Sequence, residues 1–322
     1  MRVLVTGGAG YIGSICVKEL LDRGHEVDVF DNLFEGNLAA VDKRAHFYRG
    51  DLRIGYSIKN QMERYPFDAV IHFASLALVS ESMKHPMDYF ANNIQGGIEL
   101  LGAMLTCKCN RIIFSSSCAI FGDAENNLPI GENHPCFPIN PYGESKLAVE
   151  RMLRWNKKAG WLKPCSLRYF NAAGASETHG EAHRVETHLI PNILLAAARK
   201  KAYVEVYGGG QCVRDYIHVL DLVDAHIRVL ESGVEGAYNL GTGYGLSVND
   251  VISVARDVTG VDIPVKYMPH REGDPAVLVA NPSLAKKELG WKAQRGIEEM
   301  VKSAWDWMLK NPNGYKTKES GL

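Results

Sequence analysis

The chain has 322 residues, 46% of them hydrophobic, which is enough apolar material for one large or two moderate packed domains. Charged residues make up 23% and the formal net charge is -1, so there is no electrostatic footprint for nucleic acid or an anionic membrane surface, and neither is expected as a partner. The opening run MRVLVTGGAG carries no basic stretch leading into a long apolar one, and nowhere does the chain reach the roughly 18 apolar residues of a membrane helix. Seven scattered cysteines include only one close pair, Cys107 and Cys109, with no second pair to complete a zinc site. No metal is expected, and reduced thiols in the cytoplasm are the expectation.

In chain order, the first half alternates short β-branched runs with amphipathic helices. Arg2–Val5, Glu26–Phe30, Ala69–Phe73, Arg111–Ser115 and Cys165–Tyr169 read as strands, apolar on both faces as parallel central strands are. Gly13–Arg23 and Tyr89–Leu105 read as helices between them. The βαβα pattern predicts an α/β protein with a doubly wound parallel sheet of the Rossmann kind. Asn140-Pro141-Tyr142 sets a cap and an N1 proline at the start of a helix that Gly160 stops. Asn281-Pro282 opens another, closed by Gly290. After residue 171 the pattern loosens: 175–186 reads as a polar loop and the glycines at 208–210 as a tight connection. The expected division is a dinucleotide-binding unit over 1–171 and about 213–243, with a smaller discontinuous substrate-binding α/β unit over about 172–212 and 244–322. The tail 311–322 has no apolar period, so fraying is expected there.

Gly7, Gly10 and Gly13 follow the first strand and open the first helix. Glycines let the backbone turn tightly against a pyrophosphate, and the helix N-terminus then supplies unpaired N–H groups and a positive dipole end. Asp31 ends the second strand, where a carboxylate accepts from the adenine-ribose hydroxyls and repels a 2′-phosphate, favouring NAD over NADP. Asp51-Leu52 suits an adenine, a carboxylate for its amine beside an apolar neighbour for its ring, although Asp51 also fits an ordinary turn.

Tyr142 and Lys146 are four apart on the capped helix and share a face. A phenol near its free pKa of ~10 is a poor base at neutral pH. An adjacent ammonium and a positive nicotinamide would favour the phenolate. A surface pair at helical spacing would look the same. Ser115-Ser116-Ser117 ends an upstream strand, where such sheets place ligands. Ser117 there can share a proton with Tyr142 and a substrate hydroxyl, or cap a turn.

Glycine fingerprint, serine strand and Y-x-x-x-K, in this order, resemble the extended short-chain dehydrogenase/reductase family, and within it the UDP-glucose 4-epimerases. The resemblance rests on TGGAGYIGS at 6–14, DNL at 31–33, FSSSCAIFG at 114–122, NPYGESK at 140–146 and LRYFNAAGA at 167–175. THLIP at 187–191, VRDYIHVLDL at 213–222, YNLGTG at 238–243 and NPSLAKKELGW at 281–291 extend it to about residue 310. It implies an isomerase of carbohydrate metabolism that inverts C4 of a UDP-hexose by hydride transfer to bound NAD, rotation of a 4-keto sugar and hydride return.

The resemblance also implies roles. Gly7, Gly10, Tyr11, Ile12, Gly13, Asp31, Asn32, Asp51, Leu52, Phe73, Ala74 and Asn92 would line the NAD site, with Tyr169 by the nicotinamide. Ser117, Tyr142 and Lys146 would be catalytic. Asn171 and Leu189 would contact the nucleotide sugar, Tyr207 the uracil, Arg214 and Arg271 the pyrophosphate, and Asp274 the uridine ribose. Taken without the resemblance, Arg214 fits a surface ion pair and Tyr207 a core aromatic equally well. A homodimer is implied too, with the Tyr89–Leu105 and Tyr142–Ala159 helices at its interface. Gly96-Gly97 would allow close helix approach there, or equally within one chain.

Three departures stand out. Ala77 replaces a lysine that some members carry toward the cofactor, and 207–211 is shorter than the usual loop. Leu278 stands where some bacterial members have a tyrosine, leaving room beside the hexose and predicting that N-acetylated hexoses are accepted. Related dehydratases carry acidic residues after the position of Ser117; Cys118-Ala119 here cannot expel water. UDP-pentose epimerisation (arabinose or xylose) is the nearest rival. A non-catalytic dinucleotide-binding regulator is the rival of another class, but such proteins lose the tyrosine or the lysine.

Overall fold

The computed structural model describes residues 1–123, 129–269 and 275–315. The chain begins β1 (Arg2–Thr6), α1 (Tyr11–Asp22), β2 (Glu26–Asp31), β3 (His46–Arg49), α2 (Gly55–Arg64) and β4 (Ala69–His72). It continues through α3 (Val79–Lys84), α4 (Pro86–Tyr89), α5 (Gly96–Thr106), β5 (Arg111–Ser117), α6 (Pro141–Lys158) and β6 (Lys163–Tyr169). Then come β7 (Asn171–Ala173), α7 (Leu189–Ala197), β8 (Val204–Tyr207), β9 (Val213–His218), α8 (Val219–Ser232) and β10 (Gly236–Leu240). The last elements are β11 (Gly245–Ser247), α9 (Val248–Thr259), β12 (Val265–Met268), β13 (Val277–Leu278), α10 (Ser283–Leu289) and α11 (Ile297–Lys310).

Seven parallel strands form the main sheet in the order β10-β6-β5-β4-β1-β2-β3. Successive strand residues point to opposite faces. Val3, Val5, Val29 and Ile71 pack under α1 and α8, while Leu4, Phe30, Val70 and Ile112 pack under α2 and α5. Both faces are covered, which is why the strands read as continuous apolar runs. The strand order reverses between β1 and β4, opening a crevice at their carboxyl ends where doubly wound sheets take ligands. Thr6 and His72 bond across that point at 2.7 Å.

A second core lies over this edge. Ile193 and Leu194 of α7, Val251 and Ala255 of α9, and Met300 and Val301 of α11 close over β8 and β9. β9 does not enter the main sheet, as the expected boundary near 213 would have it; it pairs with β7, β11 and β13. Conversely, Ala285 of α10 and Trp291 pack into the large core, with Trp291 Nε1 donating to the Asp221 carbonyl at 2.9 Å. The chain thus crosses between the two cores more often than a division at 171, 213 and 243 allows.

Several elements differ at their ends from the sequence expectation. α1 begins at Tyr11, with Gly10 as its cap. β5 runs on to Ser117 because Ser116 and Ser117 pair with Arg168 and Tyr169. α10 starts one residue later than expected, with Pro282 as cap and Asn281 Oδ1 accepting from Ser283 N at 3.1 Å. The expected single helix over 89–105 is α4, a π-helical segment Phe90–Gln95 and α5. The tail is not wholly free: the Tyr315 hydroxyl exchanges hydrogen bonds with Gly180 N and O, each 3.0 Å. No described helix is long and apolar enough to cross a membrane, and all seven cysteines stand as thiols outside any disulfide.

Candidate active site

The glycine turn is built by exclusion. A Cβ on Gly13 would sit 2.2 Å from the Gly7 carbonyl oxygen, and one on Gly7, where φ is +75°, would sit 2.4 Å from Ala74 N. Side chains at these positions would fill the space in front of α1. No side chain caps that helix, so its first-turn N–H groups face the crevice. Asp31 stands at the end of β2, nearly buried, accepting from Ala9 N at 3.0 Å and Leu33 N at 2.8 Å. Burial raises its carboxyl above the usual range against the pull of those two donors. Asp51 is held by Arg53 at 2.6 Å and by Asn32 Nδ2 at 3.2 Å, and the Arg53 pairing brings it down to about 2.

Across the crevice, α6 carries Tyr142 and Lys146. Asn140 Oδ1 accepts from Gly143 N at 2.8 Å, fixing the first turn. A Cβ on Gly143 would lie 2.3 Å from the Ala119 carbonyl oxygen, and only glycine lets α6 press against the turn after β5. That approach sets Tyr142 in hydrogen-bonding reach of Ser117. Ser117 Oγ also accepts from Ala119 N at 3.2 Å, so it both caps the turn and faces the tyrosine. Lys146 is buried, donates to the Ser115 carbonyl at 2.8 Å, and lies 5.8 Å from the Tyr142 ring centroid.

The electrostatics differ from the sequence expectation. Burial pushes Tyr142 up to about 12, with Ser117 pulling the other way, and burial pushes Lys146 down to about 7. Burial is the leading cause of both shifts, and both groups are driven toward their uncharged forms.

Residues without a readable pattern hold this pair. Asn93, in the π-helical segment, accepts from Leu76 N at 2.9 Å and donates to the Leu76 carbonyl at 3.1 Å and to Ser145 Oγ at 2.8 Å. Ser145 in turn donates to the Tyr142 carbonyl at 2.7 Å. Tyr89 meets the Tyr142 ring edge-on at 6.4 Å. The neighbouring Asn92 donates to Asn93 Oδ1 at 3.0 Å. Tyr169 bonds through its hydroxyl to His226, whose ring lies 4.8 Å from that of Phe73.

The far wall comes from the smaller unit. Asn171 Nδ2 donates to the Asp215 carbonyl at 3.0 Å, the Tyr207 hydroxyl to Glu205 at 2.9 Å, and Arg214 to the Val213 carbonyl at 2.9 Å. Leu189 opens α7, and Leu278 on β13 is buried beside Cys118, Phe121 and Phe170. Asp215 escaped the sequence reading: its buried carboxylate accepts from Thr242 N, Thr242 Oγ1, Gly243 N and Ala280 N, so it joins β9 to the segments after β10 and β13. Arg271 and Asp274 lie outside the described residues. All other expected site residues line one cavity of about 1130 Å³, together with Ala77. Gly96 and Gly97 are used within the chain: their Cβ positions meet Leu52 at 3.1 Å and Val149 of α6 at 3.2 Å.

Residues 3–241 match the NAD dependent epimerase/dehydratase family. A UDP-glucose 4-epimerase of Halalkalibacterium halodurans is 44% identical over 330 residues, covering 98% of each chain. One from Lactobacillus helveticus is 43% identical, covering 99% of this chain and all of that one. The crystal structure of a Bifidobacterium longum UDP-glucose 4-epimerase in complex with NAD+ and UDP superimposes with a TM-score of 0.93 at 38% identity, over 98% of this chain and all of that chain. With the glycine cradle, the capped tyrosine–lysine helix and similarity along nearly its whole length, the chain belongs to the NAD dependent epimerase/dehydratase family and, within it, to the UDP-glucose 4-epimerases.

Proposed function

We propose that the protein interconverts UDP-glucose and UDP-galactose by inverting C4 of the hexose, with NAD as its resident cofactor. The observation that carries this is one continuous cavity walled by the glycine turn, by Ser117, Tyr142 and Lys146, and by Asn171, Leu189, Tyr207 and Arg214. The residues present fit a dinucleotide: a Cβ on Gly7 or Gly13 would collide with backbone, helix donors face the space, and Asp31 stands where a ribose diol is read. Bound NAD supplies the hydride acceptor and donor at C4.

The chain's own residues do the rest. Tyr142 takes the proton of the sugar 4-hydroxyl and returns it, with Ser117 sharing that hydrogen bond. Lys146, anchored on the Ser115 carbonyl, sets its amine 5.8 Å from the Tyr142 ring, where its protonated form favours the phenolate. Arg214, and Arg271 with it, grip the pyrophosphate by charged hydrogen bonds, Tyr207 offers its face to uracil and Asp274 takes the ribose. The nucleotide is thus held firmly and the hexose loosely, as exchange of its two faces requires. Cys118 and Ala119 give no acid to expel water, which supports plain epimerisation.

Leu278 favours a second substrate class. Its aliphatic side chain on the cavity wall leaves space beside the hexose for an N-acetyl group. A homodimer through α5 and α6 is supported by exposed Ile98 and Trp155, 52% and 62% accessible on those helices, and cysteines held as thiols outside any disulfide fit a reducing cytoplasm.

The test is to incubate the purified protein, without added NAD, with UDP-glucose, UDP-N-acetylglucosamine, UDP-arabinose and UDP-xylose and identify the products. Formation of UDP-galactose, and its fall by at least about 100-fold in Tyr142→Phe with NAD retained, is expected. Full activity in Tyr142→Phe would return the chain to a dinucleotide-binding regulator. Turnover of UDP-pentoses alone would replace the hexose reading, and no turnover of the N-acetylated sugar would end the argument from Leu278.

A further inference from the structure

Between β7 and α7 the chain forms a strap that crosses the rim of the cavity. The Tyr11 hydroxyl donates to the Gly174 carbonyl at 2.5 Å, His179 Nε2 bonds the Ala40 carbonyl at 2.9 Å, and Asn37 Nδ2 donates to the Ala182 carbonyl at 3.3 Å. Around and beyond this last contact the strap carries Glu181, His183, Glu186 and His188 in eight residues, and their side chains converge. Each offers one ligand atom, and the four atoms lie within 4.8 Å of one another. We propose that Glu181, His183, Glu186 and His188 form a binding site for a divalent transition-metal ion of the zinc class, which closes the strap beside the glycine turn.

The geometry carries the assignment. Both imidazoles turn the same nitrogen inward. His188 Nδ1 lies 2.7 Å from Glu181 Oε1 and 3.2 Å from Glu186 Oε1; His183 Nδ1 lies 3.2 Å from Glu181 Oε1 and 3.5 Å from Glu186 Oε2. A tetrahedral ion with bonds of 2.0–2.1 Å spaces its ligand atoms about 3.3 Å apart, and these distances, taken to Glu181 Oε1 and to one or the other oxygen of Glu186, bracket that value. His183 Nδ1 is buried without a partner in hydrogen-bonding geometry, although two carboxylate oxygens are close. A lone pair aimed at a shared centre accounts for that arrangement. Two neutral imidazoles and two carboxylates also balance a doubly charged ion, and this mixed donor set suits zinc, cobalt or manganese.

The surroundings orient the donors. Glu186 Oε1 is held by His188 N at 2.8 Å, and the His188 carbonyl by Asn192 Nδ2 at 2.8 Å, the kind of outer support that metal ligands have. Burial, and after it the charges of Glu181 and Glu186, push the Tyr11 hydroxyl up, which puts the cluster in electrostatic reach of the first residue of α1. Without a cation the same four groups satisfy one another as two ion pairs. Burial opposes the charged imidazoles, but the two carboxylates hold His183 up to about 9 and His188 up to about 10. This ion-paired state is the competing arrangement.

The site stands apart from the epimerase reading, so its test is direct. The full chain is stripped with a chelator, dialysed and titrated with Co²⁺, followed by visible absorption. Saturable bands of a tetrahedral centre at about one ion per chain, displaced by Zn²⁺, are expected, together with a zinc-dependent rise in Tm. His183→Gln weakens binding by more than the roughly 100-fold that loss of an outer-shell partner costs; the exposed His46→Gln leaves it unchanged. Glu186→Gln keeps the side-chain shape and serves if His183→Gln fails to fold. Absence of saturable bands in the wild-type titration, or wild-type affinity in both ligand variants, overturns the proposal and leaves the ion-paired cluster.

Discussion

Lys146 is the residue at which burial and function pull in opposite directions. Its ammonium donates to the Ser115 carbonyl and lies 5.0 Å from the Phe114 ring. Desolvation lowers its pKa from the model-compound 10.5 to about 7. In the unfolded chain the amine stays protonated up to that ordinary value, so between about pH 7 and 10 the unfolded state binds more protons than the folded one. Lys146 therefore adds stability as pH rises through that window, approaching about 1.4 kcal/mol per pH unit, while His183 and His188, held up to about 9 and about 10, lose theirs over the same range. Tyr142 acts oppositely but only above pH 10, because its folded value lies near 12. Urea melts of the cofactor-free wild type and of Lys146→Met, run from pH 7 to 10, should differ in slope by that amount, the wild type gaining stability with pH relative to the variant. Equal slopes would mean that water reaches the amine. The tyrosine and lysine were legible as a pair because four-residue spacing on a capped helix is a local pattern. Asn93, whose side chain reaches Ser145 across 52 positions, was not, since nothing local distinguishes it from any polar helix residue.

At the level of elements, α6 works as a rigid arm whose first turn is fixed at both ends. Asn140 accepts from Gly143 N, and Gly143 lies flat against the Ala119 carbonyl. Asn140→Ala removes the cap and should cost about 1 kcal/mol of stability by denaturant melting. It should also lower the proposed activity by more than the change in folded fraction, because the tyrosine sits in the loosened turn. A drop that merely follows the folded population would show that the Ala119 contact alone orients the helix. The glycine turn gives a sharper case. In Gly13→Ala the added methyl meets the Gly7 carbonyl oxygen, which is backbone and cannot rotate away. Overpacking of this kind costs about 1–3 kcal/mol, and the displaced turn should release NAD, read as a loss of copurified cofactor absorbance. Retention of cofactor with unchanged stability would show that α1 slides to make room. The cap, the glycine turn and the central strands were legible because each is written in consecutive residues. The π-helical segment inside 86–106 was not, because the apolar period does not register an extra residue that Leu76 and Ser145 hold in place from outside the helix through Asn93. Nor was the pairing of β9, whose mixed run of Val213 to His218 carries no local mark of which sheet it joins.

For the molecule as a whole, the cleft has its shape only while the two cores keep their relation, and one polar thread runs between them. Arg168 on β6 pairs with Glu150 on α6 at 2.8 Å, both side chains 9% exposed, and also donates to the Glu132 carbonyl at 3.0 Å. Glu132 accepts from Asn239 N on β10 at 2.9 Å, and the nearby Ile130 exchanges backbone hydrogen bonds with Val279 and Asn281, just after β13. The main sheet, α6 and the cavity wall are thus joined through Arg168. Replacing a buried ion pair by apolar groups is often nearly neutral, whereas removing one partner strands the other charge and costs about 3–5 kcal/mol. Arg168→Met should therefore lose stability of that order in a guanidinium melt, and the double variant Arg168→Met with Glu150→Leu should regain most of it. The double variant still lacks the bond to Glu132, so its thread stays cut. If the thread aligns the two walls, the double variant is stable yet has a raised KM for the UDP-sugar, since Leu278 and Arg214 lie on the wall that has lost its tie. Wild-type KM in a stable double variant would show that the apolar packing of Ile130, Leu278 and Ala280 against Phe121 and Phe170 sets the cleft by itself.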